Sequence, residues 1–339
     1  MITVAVDAWN LVDDRRGMGR YVRRVLRDWE NDPDVDVALI VRESAHVAAI
    51  ARELPYRIAR ASTVKADAVW YPWNAMRFVV PRARTVVTLH DAFAFTLPHR
   101  ELVARWREQM PIRRAIRKAD ALAVNSAWSA RELSRVFAID PARFTVAHPV
   151  PDPFWKPVET RTSEPYVLVV GGPDERKNLR TLFAAFAHAF SRGGVTLTIA
   201  GVLRDEDEQI LAGAPFSFRR VWPDDEDLRV LYSGALAVAV PSSYEGYGLM
   251  AVEAMACGAP VIAADAAALP EACDGAATLL PPFDVDAWAT TLHALADDAG
   301  LRMALHEESL ARVARIDRLE PARITLDLLR GAATDKVSA

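Results

Sequence analysis

Residues 241–258 read PSSYEGYGLMAVEAMACG, and their reading decides the fold. The run that leads in, LAVAVPSS (236–243), is continuously apolar up to Pro241, as a parallel strand buried on both faces should be. LMAVEAMACG then follows with helical spacing and stops at Gly258, a residue suited to a helix C-terminus. The stretch therefore predicts strand, glycine-bracketed turn and helix. Glu245 falls in the turn and Glu253 about a turn and a half into the helix. A carboxylate inside an otherwise apolar helix is costly unless it is paired. The amides of Tyr247, Gly248 and Leu249 open the helix as unsatisfied donors. A phosphate on those amides would be flanked by two carboxylates, groups suited to accepting hydrogen bonds from sugar hydroxyls. The plainer alternative makes Glu245 a cap and Glu253 a surface residue.

The same strand–turn–helix unit recurs along the chain. Candidate strands are 2–8, 36–41, 68–72, 85–91 and 121–126, then 166–172, 196–201, 236–243 and 260–265. Helical stretches such as GRYVRRVLRDWEN and NLRTLFAAFAHAF lie between them. This alternation predicts an α/β protein with two doubly wound, Rossmann-like domains. A chain of 339 residues suits two cores. The proline-rich run PVPDPFWKPVETRTSEP (149–165) marks the boundary. The expected domains are 1–150 and 166–318, joined by a linker at 151–165, with a closing amphipathic helix and tail at 319–339.

Ligands of open parallel sheets bind at the carboxyl ends of the strands, so polar residues there carry the functional argument. After YVLVV comes GGPDERKN (171–178). Gly171 and Gly172 permit close backbone approach, Arg176 and Lys177 offer a planar fork and a point charge for a diphosphate, and Asn178 is placed to cap a helix. A solvated loop with an ordinary cap is the competing reading. His90 and Asp91 follow TVVTL directly, either as site residues or with the histidine satisfied by a nearby backbone group. RRGMGRYVRRVL (15–26) reads as a glycine-bearing loop entering a helix. Gly17 and Gly19 let amides face a ligand, while Arg15, Arg16, Arg20, Arg23, Arg24 and Arg27 form either a basic patch for an anionic acceptor or a solvated face.

Composition narrows the classes. A net charge of −4 gives no general attraction to nucleic acid. Cys257 and Cys273 are too few and too oddly placed for a disulfide framework or zinc site, which fits a reducing cytoplasm. MITVAVDAWN reads as a first strand, and no apolar run reaches the length of a membrane span. There is no P-loop, and GMGRYV (17–22) has Val22 where a dinucleotide fingerprint needs glycine. ELVARWREQMPIRRAIRKAD (101–120) mixes apolar and basic residues. It reads as a core-packed helix or as a peripheral surface for anionic lipid.

Taken together, these motifs resemble the retaining GT-B glycosyltransferases, in particular the large family of bacterial mannosyl-, glucosyl- and rhamnosyltransferases. The resemblance covers nearly the whole chain: GMGRYV, the HD pair, ADALAVNSAWSARELSRVF, GGPDERKN, LTIAG, and above all Glu245 and Glu253 within PSSYEGYGLMAVEAMACGAPVI. It implies two domains facing a cleft, the first binding acceptor and the second the nucleotide sugar. It further implies that Glu245 holds the donor sugar, Glu253 the ribose, and Arg176 and Lys177 the diphosphate, beside Gly172 and the amides of Tyr247, Gly248 and Leu249. His90 would line the sugar near the reacting carbon, Gly17 to Gly19 would close on phosphate or acceptor, and backbone near Trp222 would meet the base. The implied reaction moves a hexosyl group from a GDP-, UDP- or dTDP-sugar, GDP-mannose favoured, to a glycan, glycolipid or small-molecule hydroxyl, with retention and with no metal or other cofactor. Two departures stand out: Val221 where the family often has glycine, and AHPVPDPF (147–154) in place of Asn-Gly-Val. An epimerase or hydrolase on this fold, or a non-catalytic nucleotide-binding protein, are the alternatives.

Overall fold

A computed structural model describes residues 1–15, 17–97, 101–160 and 164–334. Arg16, residues 161–163 of the expected linker and the tail from 335 lie outside the described residues. The chain divides into two compact units, Met1–Val150 with Leu319–Ala339, and Pro151–Arg318.

The first unit is built on a seven-stranded parallel sheet of order β3-β2-β1-β4-β5-β6-β7. Its strands are β1 (Ile2–Asp7), β2 (Val35–Ile40), β3 (Arg57–Ala59), β4 (Ala68–Tyr71), β5 (Arg84–Leu89), β6 (Ala121–Val124) and β7 (Phe144–Val146). The central strands are mostly apolar and largely buried on both faces, which is what their sequences demand. Two apolar clusters cover the sheet. One contains Trp29, Trp70, Leu26 and Tyr21 together with Ala322, Leu326 and Leu329 of the last helix, Pro321–Thr334. Trp29 Nε1 donates to Ala322 O at 2.9 Å, so the end of the chain closes the core of its beginning.

The second unit has a six-stranded parallel sheet of order β10-β9-β8-β11-β12-β13. Here the strands are β8 (Tyr166–Val170), β9 (Thr196–Ala200), β10 (Phe218–Val221), β11 (Ala237–Val240), β12 (Val261–Ala264) and β13 (Thr278–Leu280). In both units the strand order reverses beside the first strand, the doubly wound arrangement. The proline-rich run is not a free linker where it is described. Trp155 is buried in the second unit's core, Arg229 lies 4.6 Å over the Phe154 ring, and Val158 N donates to Ser233 Oγ at 3.2 Å. The aromatic pair Phe154–Trp155 supplies apolar surface that proline content alone does not reveal.

Among the described residues no helix is long and apolar enough to cross a membrane. The helix Leu102–Lys118 is packed on the core in its second half and exposed in its first. Ile112, Ala115 and Ile116 pack into the first unit's core, while Leu102, Val103 and Trp106 are exposed.

Candidate functional site

At the carboxyl edge of the second sheet, strand ends β8 and β11 bring the two expected motifs together. β8 runs into Gly171 and Gly172, then a 3-10 turn at Glu175–Lys177, then the helix Leu179–Phe190. β11 runs into Pro241, the Glu245 turn and the helix Leu249–Ala256. Lys177 Nζ donates to Glu245 Oε1 at 2.8 Å, and Arg176 Nη1 donates to Glu245 Oε2 at 3.2 Å and to Tyr244 O at 3.1 Å. Asp174 fixes Arg176 from the other side, accepting from its Nε at 2.8 Å and from its backbone N–H at 3.1 Å. Ser243 N donates to Arg176 O at 2.8 Å, which locks the two turns together. Glu245 is thus a hub gripped by both cations. Burial alone would raise its carboxyl, but Lys177 and Arg176, with hydrogen bonds from Lys177 and Ser242, outweigh it and hold the group below its ordinary value.

The turn closes through Gly248, whose φ of 105° excludes side chains and where a Cβ would lie 2.7 Å from Leu269 Cδ2. The amides of Tyr247, Gly248 and Leu249 stand at the start of the helix that carries Glu253 on its second turn, 2 % exposed. Burial, the largest influence, pushes the Tyr247 phenol above its ordinary value. Gly172 faces the Lys177 side chain with ordinary clearance. Trp222 follows β10 and is 69 % exposed, with the Arg220 guanidinium 5.2 Å from its ring.

Asn178 departs from expectation. It precedes its helix in the left-handed region without a side-chain cap bond. Its Nδ2 instead donates to Pro241 O at 3.1 Å and Pro282 O at 2.5 Å, and its Oδ1 accepts from Thr181 at 2.9 Å. The side chain ties three strand-end loops together, a non-local task invisible in the sequence.

The remaining expected residues belong to the first unit. His90 is buried at the end of β5; its Nε2 lies 2.7 Å from Pro72 O, the distance of an Nε2–H donation, which leaves Nδ1 as the ring acceptor. Its N–H donates to Asn74 Oδ1, its carbonyl accepts from Ser129 Oγ, and its ring stands edge-on to Tyr21. Burial lowers its pKa and keeps it neutral. Gly17 and Gly19 lie in the helix Gly17–Trp29 rather than in a loop. Gly19 is required for packing, since a Cβ there would sit 1.9 Å from Asp14 O. The expected basic patch is broken up. Arg23 is buried, bonded to Glu53, Leu11 O and Asp14 O, and Arg24 pairs with Asp28 at 3.1 Å. Arg15 is 3.9 Å from Glu53.

Two carboxylates were missed. Asp174 could have been found from its Asp-x-Arg spacing, the pattern of a local turn that accepts the following backbone N–H. Asp7 ends the central strand β1, fully buried, with Oδ1 accepting from Trp9 N at 3.0 Å and Oδ2 without a hydrogen-bond partner among the described residues. Burial raises its pKa to about 6 against the opposing influence of the Trp9 amide and Arg77. No group of three or more His, Cys, Asp or Glu among the described residues is arranged to hold a metal ion.

Comparisons with known proteins bear on this arrangement. Residues 164–298 match the family model described as glycosyl transferases group 1. The O-antigen chain mannosyltransferase B of Escherichia coli is 29% identical over 258 residues, 69% of this chain and 68% of that one. The D-inositol 3-phosphate glycosyltransferase of Mycolicibacterium gilvum is 30% identical over 64% of this chain, a match that spans only 54% of its own length. Among solved structures, Anabaena HepE in complex with UDP-glucose superposes with a TM-score of 0.76 at 14% identity, over 98% of this chain and 100% of that one. WaaG, a glycosyltransferase of lipopolysaccharide biosynthesis, gives 0.71 at 16% over 97% and 100%. The second unit therefore carries a group 1 glycosyl transferase domain. The chain has the GT-B fold of these solved structures.

Proposed function

We propose that the chain transfers a hexosyl group from a nucleoside diphosphate sugar, GDP-mannose, to an acceptor hydroxyl of a growing glycan, glycolipid or small molecule, with retention of configuration. The observation that carries this is the Lys177–Glu245–Arg176 cluster at the mouth of a helix whose second turn holds Glu253. In this reading Glu245 turns its remaining lone pairs to the sugar hydroxyls, Glu253 takes the ribose, and the amides of Tyr247, Gly248 and Leu249 lie along the diphosphate beside Gly172. Departure of the leaving group builds negative charge on the diphosphate, and Arg176 and Lys177, already oriented by Asp174 and Glu245, stabilise it without reorganising. The acceptor hydroxyl attacks from the leaving-group face and passes its proton to a diphosphate oxygen, so no side chain is assigned as nucleophile. Trp222 offers its exposed face near the base. His90, a neutral imidazole, and the Gly17–Gly19 helix start belong to the first domain, which in this reading binds the acceptor. The choice of mannose is supported by the relative named as a mannosyltransferase; the HepE complexes make UDP the competing nucleotide. Contact with a membrane face is part of this reading.

The test is a thermal-shift panel of UDP, GDP, dTDP and ADP with and without EDTA. A nucleotide at a hundred times its dissociation constant stabilises by about 2.7 kcal/mol. GDP is expected to raise the transition in both conditions and to lose this effect in Glu253→Ala. No shift with any nucleotide would reject the donor site; a shift with UDP alone would reject GDP-mannose.

A further inference from the structure

The helix Leu102–Lys118 divides into two halves with different surroundings. Its second half is a core element, with Ile112, Ala115 and Ile116 buried beneath the first sheet. Its first half presents Leu102, Val103 and Trp106 to solvent at 74%, 63% and 63% exposure. Pro111, which lacks a backbone donor, stands between the halves. Positions 102, 103 and 106 share one helix face. Residues eleven apart return to nearly the same side of a helix, so Arg113 and Arg117 continue the line of Leu102 and Trp106 about 16 Å further on. Arg107, Arg114 and Lys118 are also exposed, and Glu108 is the one acidic residue of the helix. Arg113 is additionally seated 4.9 Å over the Phe95 ring.

We infer that this helix is a peripheral docking surface for anionic lipid, with Leu102, Val103 and Trp106 entering the headgroup–acyl boundary and the arginines meeting lipid phosphates. Charge complementarity selects the occupant: exposed cations dominate the face around and beyond the apolar tip, which matches an anionic bilayer and repels an identical face on a second copy. Three apolar side chains also fall far short of the ~800 Å² per partner of a standard protein interface. A tryptophan at the tip suits the headgroup level, where an amphipathic ring is half wet. The inference deepens the membrane contact of the proposed function by naming the face and the lipid chemistry, and it stands independently of the donor site.

Co-sedimentation of the full chain with phosphatidylcholine vesicles, alone or mixed with phosphatidylglycerol, tests it. Pelleting is expected only with the anionic vesicles and is expected to fall sharply between ~0.1 M and ~1 M salt. The double variants Leu102→Ser with Trp106→Ser, and Arg114→Glu with Arg117→Glu, are each expected to weaken binding roughly tenfold or more. Because all four residues are exposed, thermal unfolding and nucleotide-induced shifts should stay unchanged, which separates a lipid defect from a folding or donor-site defect. Equal binding to neutral vesicles, no binding to anionic ones, or binding unaffected by both double variants would overturn the inference. So would a dimer of the parent chain that dissociates in the Leu102/Trp106 variant while vesicles are ignored.

Discussion

His90 and Glu245 occupy comparable places in the two units, each just beyond a buried central strand, yet their surroundings differ in kind. His90 is satisfied by its own unit at Nε2, at its backbone N–H and at its carbonyl, and burial keeps it neutral. Glu245 is charged and held by two cations on a separate turn. At β5 the first unit ends in a neutral, tightly packed imidazole, whereas at β11 the second ends in a carboxylate paired with two cations. Paired charges next to helix amides can stabilise charge that develops during a reaction, whereas neutral packed groups shape and exclude. The two sheets share one architecture and differ in what stands at their edges.

This contrast predicts a descending series of effects. Arg176→Ala and Lys177→Ala should each lower the transfer rate at saturating donor by about 10²-fold or more, the order found for removing one charge-stabilising donor. Wild-type turnover in both would break the contrast, because the charge cluster would then be structural. In the first unit the sensitive feature is packing: Gly19→Ala drives a Cβ into the Asp14 carbonyl and should cost about 3 kcal/mol by chemical denaturation. A smaller effect belongs to Asp7. A carboxyl raised in the folded state contributes stability below the unfolded value of 3.8 and loses it as pH rises through about 6. Asp7→Asn should therefore stabilise by about 2 kcal/mol at pH 7 and by nothing below pH 4, a difference read from unfolding at the two pH values. His90 and Glu245 carry the opposite sign, since both have lowered values. Their contributions are present above the unfolded 6.5 and 4.5 and fade as pH falls, so acid should weaken the fold from both sites. Smallest of all, Gly172→Ala meets only the flexible Lys177 stem at 3.7 Å and should shift stability by less than ~1 kcal/mol.

The strands that the sequence announces and the strands it hides fall into a spatial pattern. All nine expected strands are interior, and the four unexpected ones, β3, β7, β10 and β13, are the four edges. Interior strands need continuous apolar runs because both faces are covered. The edges are only three or four residues long; in β3 and β10 the pattern is also broken by Arg57, Arg219 and Arg220, charges that guard an open edge, whereas β7 and β13 are simply too short to announce themselves. The site shows the same division. Which turns carry Glu245, Arg176 and Lys177 was readable locally, from glycines and strand ends. That both cations close on one carboxylate nearly seventy positions away was not, nor was the Asn178 bridge to Pro241 and Pro282, because partner choice depends on which strands become neighbours. The buried state of Arg23 was hidden for a further reason: helical spacing alone does not distinguish an arginine snorkelling to water from one folded back onto Glu53.

The helix Pro321–Thr334, which caps the Trp29–Trp70 cluster, fixes the order in which the molecule can mature. A ribosome releases the first unit's whole sheet long before this last piece, and the entire second unit is made in between. The first unit therefore waits with an apolar face uncovered while its neighbour folds. Closing so long a loop carries little extra penalty, since each doubling of length adds only about 0.6 kcal/mol. Time is the limiting quantity: a nascent chain that stalls before residue 321 leaves an aggregation-prone half-core, and synthesis of the first 150 residues alone should yield a species that seeks chaperones rather than a free-standing domain.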